Sequence, residues 1–354
     1  MLEPKRALKW LAAFIGIDLA AIALVVILFD PFYQYHGPFF GMHEVLYDRD
    51  NQVPGTIRTL SYDNVLLGSS VVENFDSDYL DAVYGGHTLK VIRASGSTAD
   101  LLYYLEQAHE NRSIHHIFWG LDIHALTSSM EVTLYSTDIP RYLHTDMVLD
   151  DFPYLFNKEI LLEKIPLMLF YSRTGKNTAG HAYDWSEGKN FAAAQAMRAY
   201  EKPALPVTGC DMERELQYFD ANISAILGEI NGHPETEYTI FFPPYSMLWW
   251  DCGYTNGIGE VYFYVLEKSF EALLPCENVS LYFFQADRDI VCDLDNYMDM
   301  IHYSPEINQY MLECMASGSH RVTGENAQEV LRDMKETYEY IIYEKIYEYY
   351  EKQD

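Results

Sequence analysis

Asn64-Val65-Leu66-Leu67-Gly68-Ser69-Ser70-Val71-Val72-Glu73-Asn74-Phe75 is the stretch that decides how this chain is read. Asn64 to Gly68 is a short aliphatic run of the kind that fills a fully buried strand. Gly68 permits a tight turn directly after it, and Ser69 and Ser70 then stand at the strand's exit. A serine just past a buried strand is how a nucleophile is presented at a sheet edge. Taken alone, the pattern is also ordinary turn chemistry.

Four further β-branched or aromatic runs follow, at 89–95, 115–122, 237–244 and 278–285, with helical patterns between them. This alternation predicts an α/β fold with about five parallel strands joined by right-handed crossovers. Residues 76–84 read as a short helix stopped by Gly85-Gly86. Ser97 or Thr98 caps the next helix, whose apolar face carries Leu101, Leu102, Leu105 and Ala108. Leu216, Phe219, Ile223, Ile226 and Ile230 repeat at helical spacing before the fourth strand, and residues 327–346 form an amphipathic C-terminal helix. Between the third and fourth strands, residues 127–236 far exceed what a crossover needs, so an insert or cap over the sheet's C-terminal edge is expected.

Upstream, residues 31–61 are rich in Pro, Gly and aromatics without a clear period, and read as a stalk. Before them, Lys5, Arg6 and Lys9 precede an apolar run from Trp10 to Phe29, broken only by Asp18. That run is long enough to span a hydrocarbon core of roughly 30 Å. The expected organisation is a cytoplasmic flank and single transmembrane anchor (1–30), a stalk (31–61) and one extracytoplasmic domain (62–354). A cleaved signal peptide is the rival reading, but the run is long for one and no small-x-small site precedes Asp30. A carboxylate at mid-membrane costs roughly 2.5–3.5 kcal/mol on insertion, so Asp18 is expected either uncharged or against a partner helix.

The second chemical element lies far downstream, in Asp299-Met300-Ile301-His302-Tyr303-Ser304-Pro305-Glu306. An Asp three residues before a His can orient the imidazole and stabilise its protonated form while the ring deprotonates a serine. A lone Asp-x-x-His is weak. A serine after the first strand combined with Asp-x-x-His after the last is specific.

In that combination the chain resembles the SGNH (GDSL-like) hydrolase superfamily, a flavodoxin-like three-layer fold. Gly68-Ser69-Ser70 matches the first block, which makes Ser70 the implied nucleophile, and Asp299 and His302 match the last block. Gly96 matches the second-block glycine, whose N–H the resemblance pairs with that of Ser70 in an oxyanion hole. The chain is more closely similar to a membrane-anchored subgroup related to the D-alanyl-lipoteichoic acid protein DltD. The shared features are the N-terminal helix, the Gly-Ser-Ser motif leading into Glu73-Asn74-Phe75, and His302 to Glu306. Phe242-Pro243-Pro244-Tyr245-Ser246 and Tyr154-Leu155-Phe156-Asn157-Lys158 also resemble that subgroup. One position departs from the pattern: the third block ordinarily supplies an Asn, and here Asp122 stands in its place. An ionised carboxylate only accepts hydrogen bonds and opposes a developing oxyanion, so Asp122 is expected to be protonated, turned away, or replaced as donor by Ser97 or Thr98.

The resemblance implies serine acyl-ester chemistry, as an O-acyltransferase or esterase, on a cell-envelope polysaccharide or teichoic-acid-like polymer. It also implies work beside a polytopic membrane O-acyltransferase, which Asp18 in the anchor helix could contact. The alternative is a catalytically weak or inactive relative that binds polymer, with Tyr183, Trp185, Trp249 and Trp250 as candidate sugar-stacking residues. Composition excludes nucleic acid, because a formal net charge of −29 leaves nothing to replace phosphate counterions. Cys210, Cys252, Cys276, Cys292 and Cys314 show no C-x-x-C spacing, so no zinc site is expected from them; one disulfide is possible. No cofactor or metal is expected.

Overall fold

The computed structural model describes residues 4–39, 41–133, 140–145, 147–200 and 210–350. They fall into two compact units, residues 1–61 with 134–182 and residues 62–133 with 183–354. The expected stalk thus shares a unit with the 134–182 part of the expected insert, whereas 127–133 and 183–236 belong with the sheet. Insert positions 134–139, 146 and 201–209 lie outside the described residues.

In the first unit, α1 (Pro4–Phe29) is long and apolar enough to cross a membrane. At 1.5 Å per residue its 26 residues extend about 39 Å. Most of its apolar side chains are exposed. The chain turns directly after it. The Asp30 carboxylate accepts the N–H groups of Gln34, Tyr35 and His36, and the Tyr154 hydroxyl donates to it at 2.7 Å. Residues 31–39 and 41–61 are therefore ordered around α2 (Arg49–Thr59). There Gln52, fully buried, accepts from the N–H groups of Tyr47 and Asp48 and donates to the carbonyls of Pro31 and Val45.

The second unit is built on β1 (Asn64–Gly68), β2 (Thr88–Ile92), β3 (His116–Gly120), β4 (Glu237–Phe242), β5 (Val279–Phe283) and β6 (Arg321–Val322). The sheet runs β2-β1-β3-β4-β5-β6, with five parallel strands and an antiparallel β6 at the edge. The parallel order 2-1-3-4-5 is that of a flavodoxin-like doubly wound sheet. Strands β1 to β3 are buried at every position, which explains continuous apolar runs in place of alternation.

The crossovers are α3 (Ser77–Tyr84), α4 (Thr98–Asn111), α5 (Met212–Gly232) and, after a shorter helix α6 (Met247–Thr255), α7 (Gly259–Leu273). The step from β1 to β2 runs one way across the sheet, and the later steps run the other way. Right-handed connections therefore put α3 on one face and α4, α5 and α7 on the opposite face. The packing agrees: α5 lies against both α4 and α7, while α3 lies against α8 (Pro305–Ser317). The chain thus reverses between β1 and β3, and their carboxyl ends form the crevice where sites in such sheets arise. Near the C-terminus, α9 (Ala327–Tyr340), continued by a π-helical turn (Ile341–Lys345) and a last helical turn (Tyr347–Tyr350), buries Met334 and Tyr338 on the predicted apolar face. All five cysteines are free thiols.

Candidate active site

Ser70 is delivered to that crevice by β1 and opens a single 3-10 turn, Ser70–Val72. The turn can fold down onto the sheet because the strand ends beneath it lack side chains. A Cβ on Gly68 would lie 2.8 Å from Val72, and one on Gly120 would lie 2.5 Å from it. The carbonyls of the turn are held from outside. The Tyr303 hydroxyl and the Asn308 amide donate to Val71 O at 2.7 and 3.3 Å, and Trp185 Nε1–H donates to Ser70 O at 3.0 Å.

His302 and Asp299 come from the loop after β5. The loop is pinched by a backbone bridge between Tyr297 and Tyr303, and its outer side is tied down by Ser246, whose N–H and hydroxyl both donate to Met300 O. Asp299 Oδ1 accepts the N–H groups of Ile301 (2.9 Å) and His302 (2.8 Å). Asp299 Oδ2 accepts from His302 Nδ1 at 2.7 Å, and His302 Nε2 lies 2.8 Å from Ser70 Oγ. A carboxylate can only accept, so Nδ1 carries the ring proton and Nε2 faces the serine as an acceptor. Burial would push the Asp299 carboxyl up, but the hydrogen bonds and charge of His302 and the two backbone N–H groups outweigh it and hold it below the ordinary range. Trp185 packs edge-on to the His302 ring at 5.2 Å.

Ser70, His302 and Asp299 border a cavity of about 770 Å³, within the usual size of small-molecule sites. Asp122, at the end of β3 and hence next to β1, lines it as well. Burial raises the Asp122 pKa, opposed by hydrogen bonds from Tyr245 and Ser69. The Tyr245 hydroxyl donates to Asp122 Oδ1.

Gly96 also lines the cavity, but its N–H donates to Arg93 O at 3.0 Å, closing a turn in which Ser95 takes φ +51°. A Cβ on Gly96 would come within 2.5 Å of the Arg93 side chain, so the turn itself accounts for the glycine. Here the geometry departs from the expected oxyanion-hole role: of the two N–H groups assigned to that hole, the one on Gly96 is engaged elsewhere. Ser97, one of the substitute donors considered, is committed too. It caps α4 in a reciprocal box with Asp100, and its hydroxyl donates to Glu131 O.

The aromatic residues weighed as sugar platforms are mostly internal. Trp250 and Tyr183 are buried, and Trp249 is buried with one side on the cavity. Trp185 and Tyr245 instead support Ser70 and Asp122. In Tyr245-Ser246 the sequence did carry a signal, because these neighbours secure Asp122 and the Asp299–His302 loop respectively.

No family model matches this chain, and no curated protein matches it. One solved structure, named as a candidate platelet activating factor from Streptococcus pneumonia, resembles it at 10% identity and a TM-score of 0.34, covering 89% of this chain and 100% of the other.

Proposed function

We propose that this chain is a membrane-anchored, SGNH-type serine enzyme that carries acyl groups through Ser70. The observation that supports this reading most strongly is the unbroken series Ser70 Oγ, His302 Nε2, His302 Nδ1, Asp299 Oδ2, with links of 2.8 and 2.7 Å, at the reversal point of a doubly wound sheet. Its parts come from loops separated by more than two hundred residues, and each is fixed by its own hydrogen bonds.

In the proposed reaction His302 Nε2 takes the Ser70 proton as Oγ attacks an ester carbonyl. The negative charge moves to the carbonyl oxygen, near the Ser70 N–H. On collapse the alcohol leaves with the proton from His302, and an acyl-enzyme remains. A second hydroxyl, from water or from a glycan, repeats the sequence in reverse and takes the acyl group. Asp299 holds the imidazole in the required tautomer and stabilises it when charged.

The basic flank at Lys5, Arg6 and Lys9 supports a domain outside the membrane, and an envelope polymer of the polysaccharide or teichoic-acid type is the substrate we propose. The DltD-like assignment and a membrane O-acyltransferase partner belong to this proposal. A second reading, a catalytically weak polymer-binding protein, is favoured by the engaged Gly96 N–H and by Asp122 at the third-block place. Turnover of p-nitrophenyl acetate by the purified full chain in detergent separates the two. The enzyme reading expects a burst of p-nitrophenol, then steady release, both lost in Ser70→Ala. Equal rates in wild type and Ser70→Ala would favour the binding protein.

A further inference from the structure

At the other end of the sheet, the carboxyl ends of α4 and α5 bring three ligand-type side chains together. His109 lies in the last turn of α4, Glu229 in the last turn of α5, and His233 caps α5. His109 Nε2 is 2.9 Å from Glu229 Oε1, and His233 Nε2 is 3.9 Å from Glu229 Oε2. The two imidazole rings stack face to face, with centroids 3.5 Å apart and planes within 4°. One ligand atom from each residue lies within 4.8 Å of both others.

We propose that His109, Glu229 and His233 bind a divalent first-row transition ion, Zn²⁺ foremost. With bonds of about 2.0–2.1 Å to imidazole nitrogen and carboxylate oxygen, tetrahedral ligand atoms sit roughly 3.3 Å apart. The observed 2.9 and 3.9 Å, to the two oxygens of the Glu229 carboxylate, lie on either side of that value, and reorientation of the His233 side chain closes the site. The stacked rings lie in nearly parallel planes, so both in-plane Nε2 lone pairs meet one ion once the partly exposed His233 ring tilts out of the stack. Both helices end here, and the partial negative charge of their terminal carbonyls favours a cation.

The surroundings hold the Glu229 carboxylate and the backbone around His233. The Tyr238 hydroxyl donates to Glu229 Oε1 at 3.0 Å, and the Asn278 amide donates to the carbonyls of Ile230, His233 and Thr236. His109 and Glu229 are about nine-tenths covered, while His233 is 30% exposed and borders an open cavity that leaves room for a water as fourth ligand. The ion would clip together the crossover helices on either side of β3, far from Ser70. The absence of paired cysteines does not bear on it, because its ligands are imidazole and carboxylate.

Full-length protein in detergent, stripped with a chelator, would be titrated calorimetrically with ZnCl₂. The expected result is one ion per chain and, at a hundredfold excess over Kd, a Tm higher by about 4–5 °C. His233→Gln and His109→Gln should each weaken binding by at least about tenfold, with unchanged far-UV circular dichroism and Ser70-dependent ester turnover. Equal zinc affinity in wild type and the double variant, or no binding by wild type, overturns the site. If a variant does not fold, wild type decides alone: Zn²⁺ should shield His109 and His233 from diethyl pyrocarbonate, mapped by peptide mass, and unshielded histidines would refute the proposal.

Discussion

Asp299→Asn is the substitution whose effect follows most directly from the geometry. Asp299 Oδ1 is held by two backbone N–H groups, from Ile301 and His302, and Oδ2 accepts the Nδ1 proton of His302. An asparagine has one acceptor oxygen and one NH₂. The oxygen must stay with the two backbone donors, since turning the amide over would leave both facing another donor at about 1–3 kcal/mol each. The NH₂ then meets Nδ1, which must become an acceptor, and the ring proton moves to Nε2. There it faces Ser70 Oγ, 2.8 Å away, and the base can no longer take the serine's proton. The same change of tautomer in a serine protease triad, a case already characterised, lowers kcat about 10⁴-fold, or roughly 5.5 kcal/mol in the barrier. The expectation here is a loss of that order in kcat/KM for p-nitrophenyl acetate. The Tm should stay within a few degrees, because the two backbone hydrogen bonds survive. A loss smaller than about tenfold at unchanged Tm would refute the tautomer argument and leave Asp299 a merely structural residue.

Two further outcomes can be stated. Burial raises the Asp122 pKa, so the stability tied to its neutral form is complete below the ordinary carboxylate range and is lost as pH rises through the raised value. Asp122→Asn should therefore flatten the fall of Tm as pH rises above the ordinary carboxylate range. It should also raise ester turnover most where the wild-type carboxyl is ionised, by up to about 10²–10³; pH profiles of both quantities that coincide with wild type would count against a role in the cavity. Trp185→Phe removes the Nε1–H donor to Ser70 O and should cost about 0.5–1.5 kcal/mol of stability. With the Ser70 turn loosened, kcat should fall by up to about a hundredfold at nearly unchanged KM, and an unaltered kcat would show that Trp185 does not position the nucleophile.

How far the sequence could be read is visible in particular residues. Strand β1 is predicted with its observed ends, because Gly68 and the two serines break an aliphatic run sharply; the other parallel strands are predicted two or three residues too long. The antiparallel β6 went unseen, since two residues, Arg321 and Val322, carry no periodicity. Residues 31–61 looked featureless because their order comes from tertiary bonds such as those to Asp30 and Gln52, not from a repeat. Ser70, Asp299 and His302 were found through motif order. Gly96 was found the same way, but the direction of its N–H depends on a local turn that residue identity does not disclose. Trp185 is 115 residues from Ser70, and His109 is 120 from Glu229; contacts across such separations leave no spacing signature.

The central claim is that Ser70 is an activated nucleophile, and covalent labelling tests it most directly. Purified full-length protein would be treated with a fluorophosphonate probe and the modified peptide sequenced by mass spectrometry. The account predicts a single adduct on Ser70 in wild type and in Ser69→Ala, and none in Ser70→Ala or His302→Ala. Labelling that persists in folded Ser70→Ala, or an adduct mapped to Ser69, would contradict it.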